Sequence, residues 1–441
     1  MDSDGYAIRF GYGLPASGAD PAGMIAALRG ADLAAKEWPG VSLSELAPVL
    51  RAYRRARKAK DETALRSARR EADALALRAA KATLARAVGS ADPFRERLVA
   101  FWADHFTVAP TARIEMALPA ILIDEAIRPH VGGRFADMLR AVITHPAMLL
   151  YLNQEASVGP TSQRGMRQKR GLNENLAREL LELHTLGVGA AYTQDDVREL
   201  AELLTGLSVS PDKGFVFDAR RAEPGAETVL GVSYGGKGIE PILQALDDLA
   251  ARPETAAHLA RKLAVHFVTD TPDAALVGAL ETAFTKSGGD LPAVCESLLT
   301  HPSALVPKTG KARQPFDFMV AALRGLGVPP AEILDAGQKG FKRLVLDPLD
   351  AMGQPFHRAP GPDGWPEAEA DWITPQALAA RIDWAMDAPS RIVRPLPDPR
   401  AFLSGALGAQ AGEKLIWAVS AAESARDGVG LVLASPEFNR R

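Results

Sequence analysis

Apolar residues recur every three to four positions along most of the chain, the period of helices that bury one face. Phe94, Leu98, Phe101, Trp102 and His105 fall at i, i+4, i+7, i+8 and i+11 behind an Asp92-Pro93 start, which predicts one helix with an apolar stripe. Leu172, Leu176, Leu180, Leu183 and Gly187 share a second helical face, with Asn173 placed to cap it and Gly187-Val188-Gly189 to stop it. Thr193-Gln194-Asp195-Asp196 then has the form of a capping box, and a further helix runs through Leu200, Leu203 and Leu204 to Gly206. Residues 172–206 are therefore expected to form a helical hairpin. After it the period shortens. Leu207-Ser208-Val209-Ser210, Gly214-Phe215-Val216-Phe217 and Thr228-Val229-Leu230-Gly231-Val232 look like short strands between turns. Helical periodicity returns at about 241–250, 254–268, 274–286 and 291–300, after Pro315, and over 376–441. The expected fold is mainly α: a multi-helix array forming one large unit over 1–441, with a small β-hairpin-like insertion near 207–235, inside a short-strand segment 207–240.

Two stretches depart from this pattern. Residues 51–88 read as one long helix or two consecutive ones and hold twelve Lys/Arg against Asp61, Glu62, Glu71 and Asp73. That local charge of +8 leaves −11 on the rest of the chain, because the whole carries −3. Such a face either contacts an anionic partner or is neutralised by its own acidic surroundings. Its one aromatic, Tyr53, offers no stacking platform, so nucleic acid is not expected. Residues 351–375 are rich in Pro, Gly and Trp, and irregular segments of that length are often functional.

Hydrophobic residues at 47% and charged residues at 24% exclude a disordered chain. The single cysteine, Cys295, excludes disulfide frameworks and cysteine-rich metal modules, and its apolar helical context suggests an inert thiol. No run of about 18 apolar residues exists, so no transmembrane segment is expected. The acidic start Met1-Asp2-Ser3-Asp4 is unlike a signal peptide, so the chain as written is expected to be cytoplasmic. Gly11-x-Gly13 lacks the strand–loop–helix setting of a nucleotide loop. His145-Pro146, His301-Pro302 and Ser435-Pro436 recur where one helix ends and another turn begins, which makes the histidines caps rather than ligands.

The candidate chemistry lies in the hairpin. Glu179 and Glu182 are i, i+3 and share one helical side, and Glu199 and Glu202 repeat the spacing on the second arm. Facing carboxylates joined by a histidine such as His105 could hold a divalent metal, Mn or Fe rather than Zn given so many oxygens. Without metal, a close carboxylate pair with one raised pKa serves as general acid and base. Glu179, Glu182 and Glu199 are the candidate catalytic residues; Glu179, Glu182 and His105 are the candidate metal ligands. Against a di-metal site, Glu182-Leu183-His184 has i, i+2 spacing instead of Glu-x-x-His, and no His-Glu-x-x-His occurs. The structural alternative makes Glu174, Arg178 and Glu182 an i, i+4, i+8 ion-pair ladder.

Several segments together resemble a bacterial family known as domain of unknown function 1800. They are Pro93-Phe94-Arg95-Glu96-Arg97-Leu98 with Phe101-Trp102 and His105-Phe106; His145-Pro146-Ala147-Met148-Leu149 with Tyr151-Leu152-Asn153; and the strongest run, Asn173 to Gly187. Tyr192-Thr193-Gln194-Asp195-Asp196-Val197, Arg261-Lys262-Leu263 with His266-Phe267-Val268, Gly353-Gln354-Pro355 and Gly364-Trp365-Pro366 follow. The resemblance implies a bacterial, mostly helical protein with no established activity. It also implies frequent export among relatives and a protein partner resembling a phosphatase or sulfatase. The chain departs from the family at Leu207, where relatives often have Trp, and at Ala222, where they often have His.

Two functions fit these observations. One is a non-catalytic accessory or binding protein, resting on the basic 51–88 stretch, on Arg178 and on the loop residues Phe356, His357, Arg358, Trp365 and Trp372 as an aromatic–basic surface for a partner or a glycan. The other is a carboxylate-rich metal-dependent or acid/base hydrolase built on the 173–206 hairpin.

Overall fold

The computed structural model describes residues 2–14, 19–168, 171–210, 214–305 and 311–441. The chain is mainly helical, and its only sheets among the described residues are two antiparallel hairpins. Strands β1 (Leu207–Ser210) and β2 (Gly214–Phe217) pair with Leu207 opposite Phe217. Strands β3 (Ala226–Val229) and β4 (Val232–Gly235) pair with Val229 opposite Val232. A small β insertion near 207–235 is thus present as the shortened period predicts, but Thr228–Val232 is not one strand: Leu230 and Gly231, both at positive φ, form the turn between β3 and β4.

Local signals set the helix starts. Asp92 accepts from the Arg95 N–H and Pro93 opens the helix Pro93–His105. Thr193 and Asp196 form a reciprocal capping box at the start of Gln194–Leu203. The basic stretch is two helices, Leu43–Ala59 and Glu62–Gly89, joined by Lys60 in the left-handed region (φ 56°) and capped by Asp61. At the recurring His/Ser-Pro joints, His145 Nδ1 accepts from Ala147 N–H at 3.1 Å, His301 Nδ1 from Ser303 N–H at 3.2 Å, and Ser435 Oγ from Phe438 N–H at 3.1 Å. These are caps, as expected.

Buried apolar residues form two main clusters. The first joins Phe94, Phe101, Trp102 and Phe135 to the 172–206 hairpin and to the helices Glu240–Ala251, Pro253–Phe267, Ala274–Ser287 and Leu291–Thr300. The second joins Leu84 and Val88 at the end of the second basic helix to Phe318, Trp384, Leu403 and Leu433. Polar groups stitch the boundary between them. Arg97, 1% exposed, pairs with Asp317 and also donates to His266 Nε2 at 3.0 Å. Arg128 makes a bidentate pair with Glu96 and reaches Asp32, while Arg86 pairs with Asp124 at 2.8 Å. Buried pairs of this kind specify a register between layers more than they add net stability. Cys295 is buried, and burial pushes its thiol up to about 12, in keeping with an inert residue. Among the described residues no helix is long and apolar enough to cross a membrane.

Candidate functional site

Four segments distant in sequence meet at the boundary between the two clusters. They are the end of Pro93–His105, the first arm of the hairpin, the helix Pro253–Phe267, and the loop around Trp365. Each carries part of the family resemblance.

Asp104 lies at the centre. Its carboxylate accepts from the Trp365 N–H at 2.7 Å, so a loop residue 261 positions away covers it. Gly364 makes that approach possible: its φ is +86°, and a Cβ there would sit 2.6 Å from Asp104 Oδ1 and 2.7 Å from its carbonyl oxygen. Burial pushes the Asp104 carboxyl up to about 7, although the Trp365 N–H and Lys262 oppose it. Near neutral pH this group is populated in both protonation states, which suits proton transfer in either direction.

Lys262 is the cation of the site. It stands between His258 and His266 on one face of its helix, at i, i+4 and i+8. Burial lowers its pKa, while Asp104, Glu367 and Asp363 hold it up. Glu179 approaches from the hairpin and is raised by burial, by Glu182 and by Asp363. Tyr151 also lies near Asp363: burial is the largest cause of its raised pKa, and Glu179 and Asp363 add to it. Asp363 is thus common to both groups: its charge acts on Glu179 and Tyr151 and also on Asp104 and Lys262.

Three histidines lie beneath. The first arm of the hairpin begins at Asn175, two residues after the Asn173 side chain turns the backbone, and runs Asn175–Glu179. It continues as a π-helical turn, Leu180–His184. Such turns displace carbonyls from the helical ladder and are frequent at functional sites. Here the His184 carbonyl accepts from His105 Nε2 at 3.2 Å and the Leu183 carbonyl from His258 Nε2 at 3.1 Å. A carbonyl only accepts, so both imidazoles carry their proton on Nε2. Burial, with Lys262 nearby, keeps all three neutral: His184 falls to about 3, His258 to about 4, and His105 lies well below the usual range.

On the other side of Asp104 lies a cavity of about 140 Å³. Its wall draws on both core clusters, with Val99, Phe106, Phe316 and Leu349, and its cover is loop residues Phe356, His357 and Trp365. The buried guanidiniums of Arg86 and Arg128 belong to this wall; Arg86 pairs with Asp124 at 2.8 Å and the Arg128 Nε lies 3.7 Å from the same carboxylate. His266 also faces it and heads a buried relay. Arg97 can only donate to Nε2, so Nδ1 carries the proton and donates to Glu367 at 2.6 Å. Burial pushes Glu367 up, but His266 and Lys311 together hold it down to about 2.

The sequence-derived residues separate into groups. Glu179 and Trp365 belong to the site just described. Glu182 faces Arg178 at 3.6 Å and accepts from Tyr192, whose hydroxyl is pushed to about 12, first by burial and then by that hydrogen bond. Arg178 also pairs with Glu174 at 3.2 Å, so the expected ladder is present. Arg358 is exposed and pairs with Asp350 at 3.3 Å. Trp372 is buried with its Nε1–H on the Pro366 carbonyl, so this part of the aromatic surface packs inward.

Glu179, Glu182 and His105 do not converge as a ligand set among the described residues. His105 is committed to the hairpin carbonyl, and Glu182 is turned to Arg178 and Tyr192. The group of three with metal-ligand spacing is instead Glu199, Glu202 and Glu227, whose ligand atoms lie within 4.8 Å of one another. Glu199 and Glu202 share a helical side, as their spacing predicts; Glu227 arrives from β3. Three carboxylate oxygens suit a hard divalent cation. A shared proton also satisfies the cluster, because burial, Glu202 and a hydrogen bond to Glu199 push Glu227 up to about 7.

Sequence reading missed Asp104, Lys262 and Glu227. Asp104 and Lys262 sit inside or between resemblance segments, yet as single charges at helix positions they look solvated. Only the covering loop makes them otherwise. Glu227 lies in a short strand with no pattern linking it to Glu199.

No curated protein and no solved structure matches the chain. A family model described as a protein of unknown function, DUF1800, matches residues 9–440. With that match over nearly its whole length, the chain belongs to the DUF1800 family.

Proposed function

We propose that the cavity under the 351–375 loop takes a small organic ligand and that Asp104 acts on it as a general acid–base group. Glu179 and Lys262 set the charge around that reaction. This reading follows the acid–base alternative drawn from the sequence, and it keeps from the binding alternative the loop as the cover of the site.

The supporting observation is the meeting of Asp104, Glu179, Lys262 and Asp363, from four segments, beside a cavity with a mainly apolar wall. Cavities with a few convergent polar groups and perturbed acids are where ligands and chemistry concentrate. Asp104 would give or take the proton at the ligand's reacting atom, and the Trp365 N–H would hold the carboxyl in place. The histidines have a positioning role, because His105 and His258 hold the π-helical turn that presents Glu179.

A thermal-shift screen of small organic acids, amides and esters tests the reading. At least one compound should stabilise the wild type and Asp104→Asn alike, and fail with Ala103→Phe, which fills the cavity beside Asp104. If every stabilising compound acts equally on Ala103→Phe, the ligand site lies elsewhere and the reading fails.

A further inference from the structure

The two basic helices place a concentrated positive charge where folding does not use it. Their joint at Lys60–Asp61 is the tip of a helical hairpin. Arg54, Arg55, Arg57, Lys58 and Lys60 before the tip, and Arg66 and Arg70 after it, are all exposed. None of the seven makes an ion pair within 4.0 Å among the described residues, whereas Arg78 and Arg113 farther along pair with Glu45 and Asp73. Arg69 lies over the Tyr53 ring at 5.7 Å. The acids near these cations are Asp61, Glu62 and Glu71 on the hairpin and Glu155, on which the Arg54 charge acts from across the packing; Asp61 is engaged in capping Thr63 and Ala64.

Helix electrostatics explains only part of this. Arg57 and Lys58 suit the C-terminal end of their helix. Arg66 and Arg70 lie beyond the first turn of theirs, where the dipole no longer acts on them; Glu62 at i−4 offsets Arg66, while Asp73 at i+3 from Arg70 is paired with Arg113. Arg54 with Lys58, and Arg66 with Arg70, are like-charged i, i+4 pairs, which destabilise a helix. The arrangement is unfavourable alone and becomes favourable against an external anion.

The distribution around the helix says which kind. At about 100° per residue, Arg54, Arg55, Arg57 and Lys58 cover an arc of roughly 160° away from buried Ala56, and on the second helix Arg66 and Arg70 lie on the side away from buried Leu65, Ala68 and Ala72, so the cations face outward from both helices of the hairpin around Lys60 at its end. A nucleic-acid face is a stripe along one side. Charges ringing a tip instead meet headgroups on all sides when the tip enters a headgroup layer. None of the large exposed apolar residues lies on this tip, so the contact is electrostatic, without insertion. The remainder of the chain carries −11, which turns the hairpin toward a negative surface and the rest away from it.

We propose that the tip of the 43–89 hairpin docks the protein on an anionic phospholipid surface. The contact is reversible and independent of the Asp104 cavity.

Co-sedimentation of the full chain with vesicles tests this. Binding is expected to phosphatidylcholine vesicles containing phosphatidylglycerol, not to phosphatidylcholine alone, with release as salt rises from about 0.1 M to about 0.5 M. Arg54→Glu, Arg55→Glu and Lys58→Glu combined should weaken binding at least about tenfold with an unchanged circular dichroism spectrum. Arg54→Gln, Arg55→Gln and Lys58→Gln should fall between that variant and the wild type. Asp104→Asn should bind as the wild type does. Equal binding to neutral vesicles, no binding to anionic ones, or binding untouched by the reversals would overturn the proposal. Retention on duplex DNA without vesicle binding would overturn it in favour of a nucleic-acid face.

Discussion

Replacing Asp104 by Asn should make the protein more stable at alkaline pH while removing its proposed chemistry. In the folded chain the carboxyl titrates near 7, against 3.8 for an unperturbed aspartate. Below 3.8 both states are protonated and the residue costs nothing. Between 3.8 and about 7 the unfolded chain gains by ionising and the folded chain does not, so stability falls; above 7 the cost is constant. At about 1.4 kcal/mol per tenfold change in proton affinity, that constant cost is roughly 4 kcal/mol at pH 8. Asn removes it and keeps an oxygen for the Trp365 N–H. Lys262 loses an attractive neighbour, and partial solvent access softens the rest, so a net gain of about 2 kcal/mol is expected. Differential scanning calorimetry at pH 5 and pH 8 reads this directly: Asp104→Asn should melt above the wild type by several degrees at pH 8 and by much less at pH 5. A variant that melts at or below the wild type at pH 8, or whose shift is independent of pH, would refute a raised Asp104 pKa.

Other perturbations follow from the same geometry. Gly364→Ala forces a side chain against Asp104 at a positive φ; it should cost about 1–2 kcal/mol and lower the Asp104 pKa, read by carboxyl NMR titration, as the loop lifts and water enters. Glu367, held at about 2, contributes stability that is present above its unfolded value of 4.5 and lost as pH falls toward 2. Glu367→Gln should therefore destabilise by about 2 kcal/mol in pH 7 urea melts and by little at pH 2.5. Glu227, raised to about 7, behaves oppositely: Glu227→Gln should raise the melting temperature at pH 8 and not at pH 4. If the 199–202–227 carboxylates hold a divalent cation, calcium or manganese should stabilise the wild type and leave Glu227→Gln unchanged.

The fold was legible wherever a local signal was sufficient. Asp92-Pro93, the Thr193–Asp196 box and the alternation after Leu207 each predict an element that the structure contains. The π-helical turn at Leu180–His184 was not legible, because it depends on His105 and His258 accepting the role of partners to displaced carbonyls. The site was half legible. Glu179 and Trp365 stood out by spacing and composition, and Glu199 with Glu202 by their shared helical side. Asp104 did not, because its burial is created by Gly364 and Trp365, far away in sequence. A carboxylate reads as functional only when its surroundings are known, and those come from tertiary packing.

The most direct test is turnover. Wild type and Asp104→Asn should be incubated with a bacterial small-molecule extract and the mixtures compared by mass spectrometry over time. One or more compounds should disappear with the wild type, with a rate that depends on a group titrating near 7, and persist with the folded variant. The same compounds consumed at the same rate by both proteins would contradict an acid–base role for Asp104.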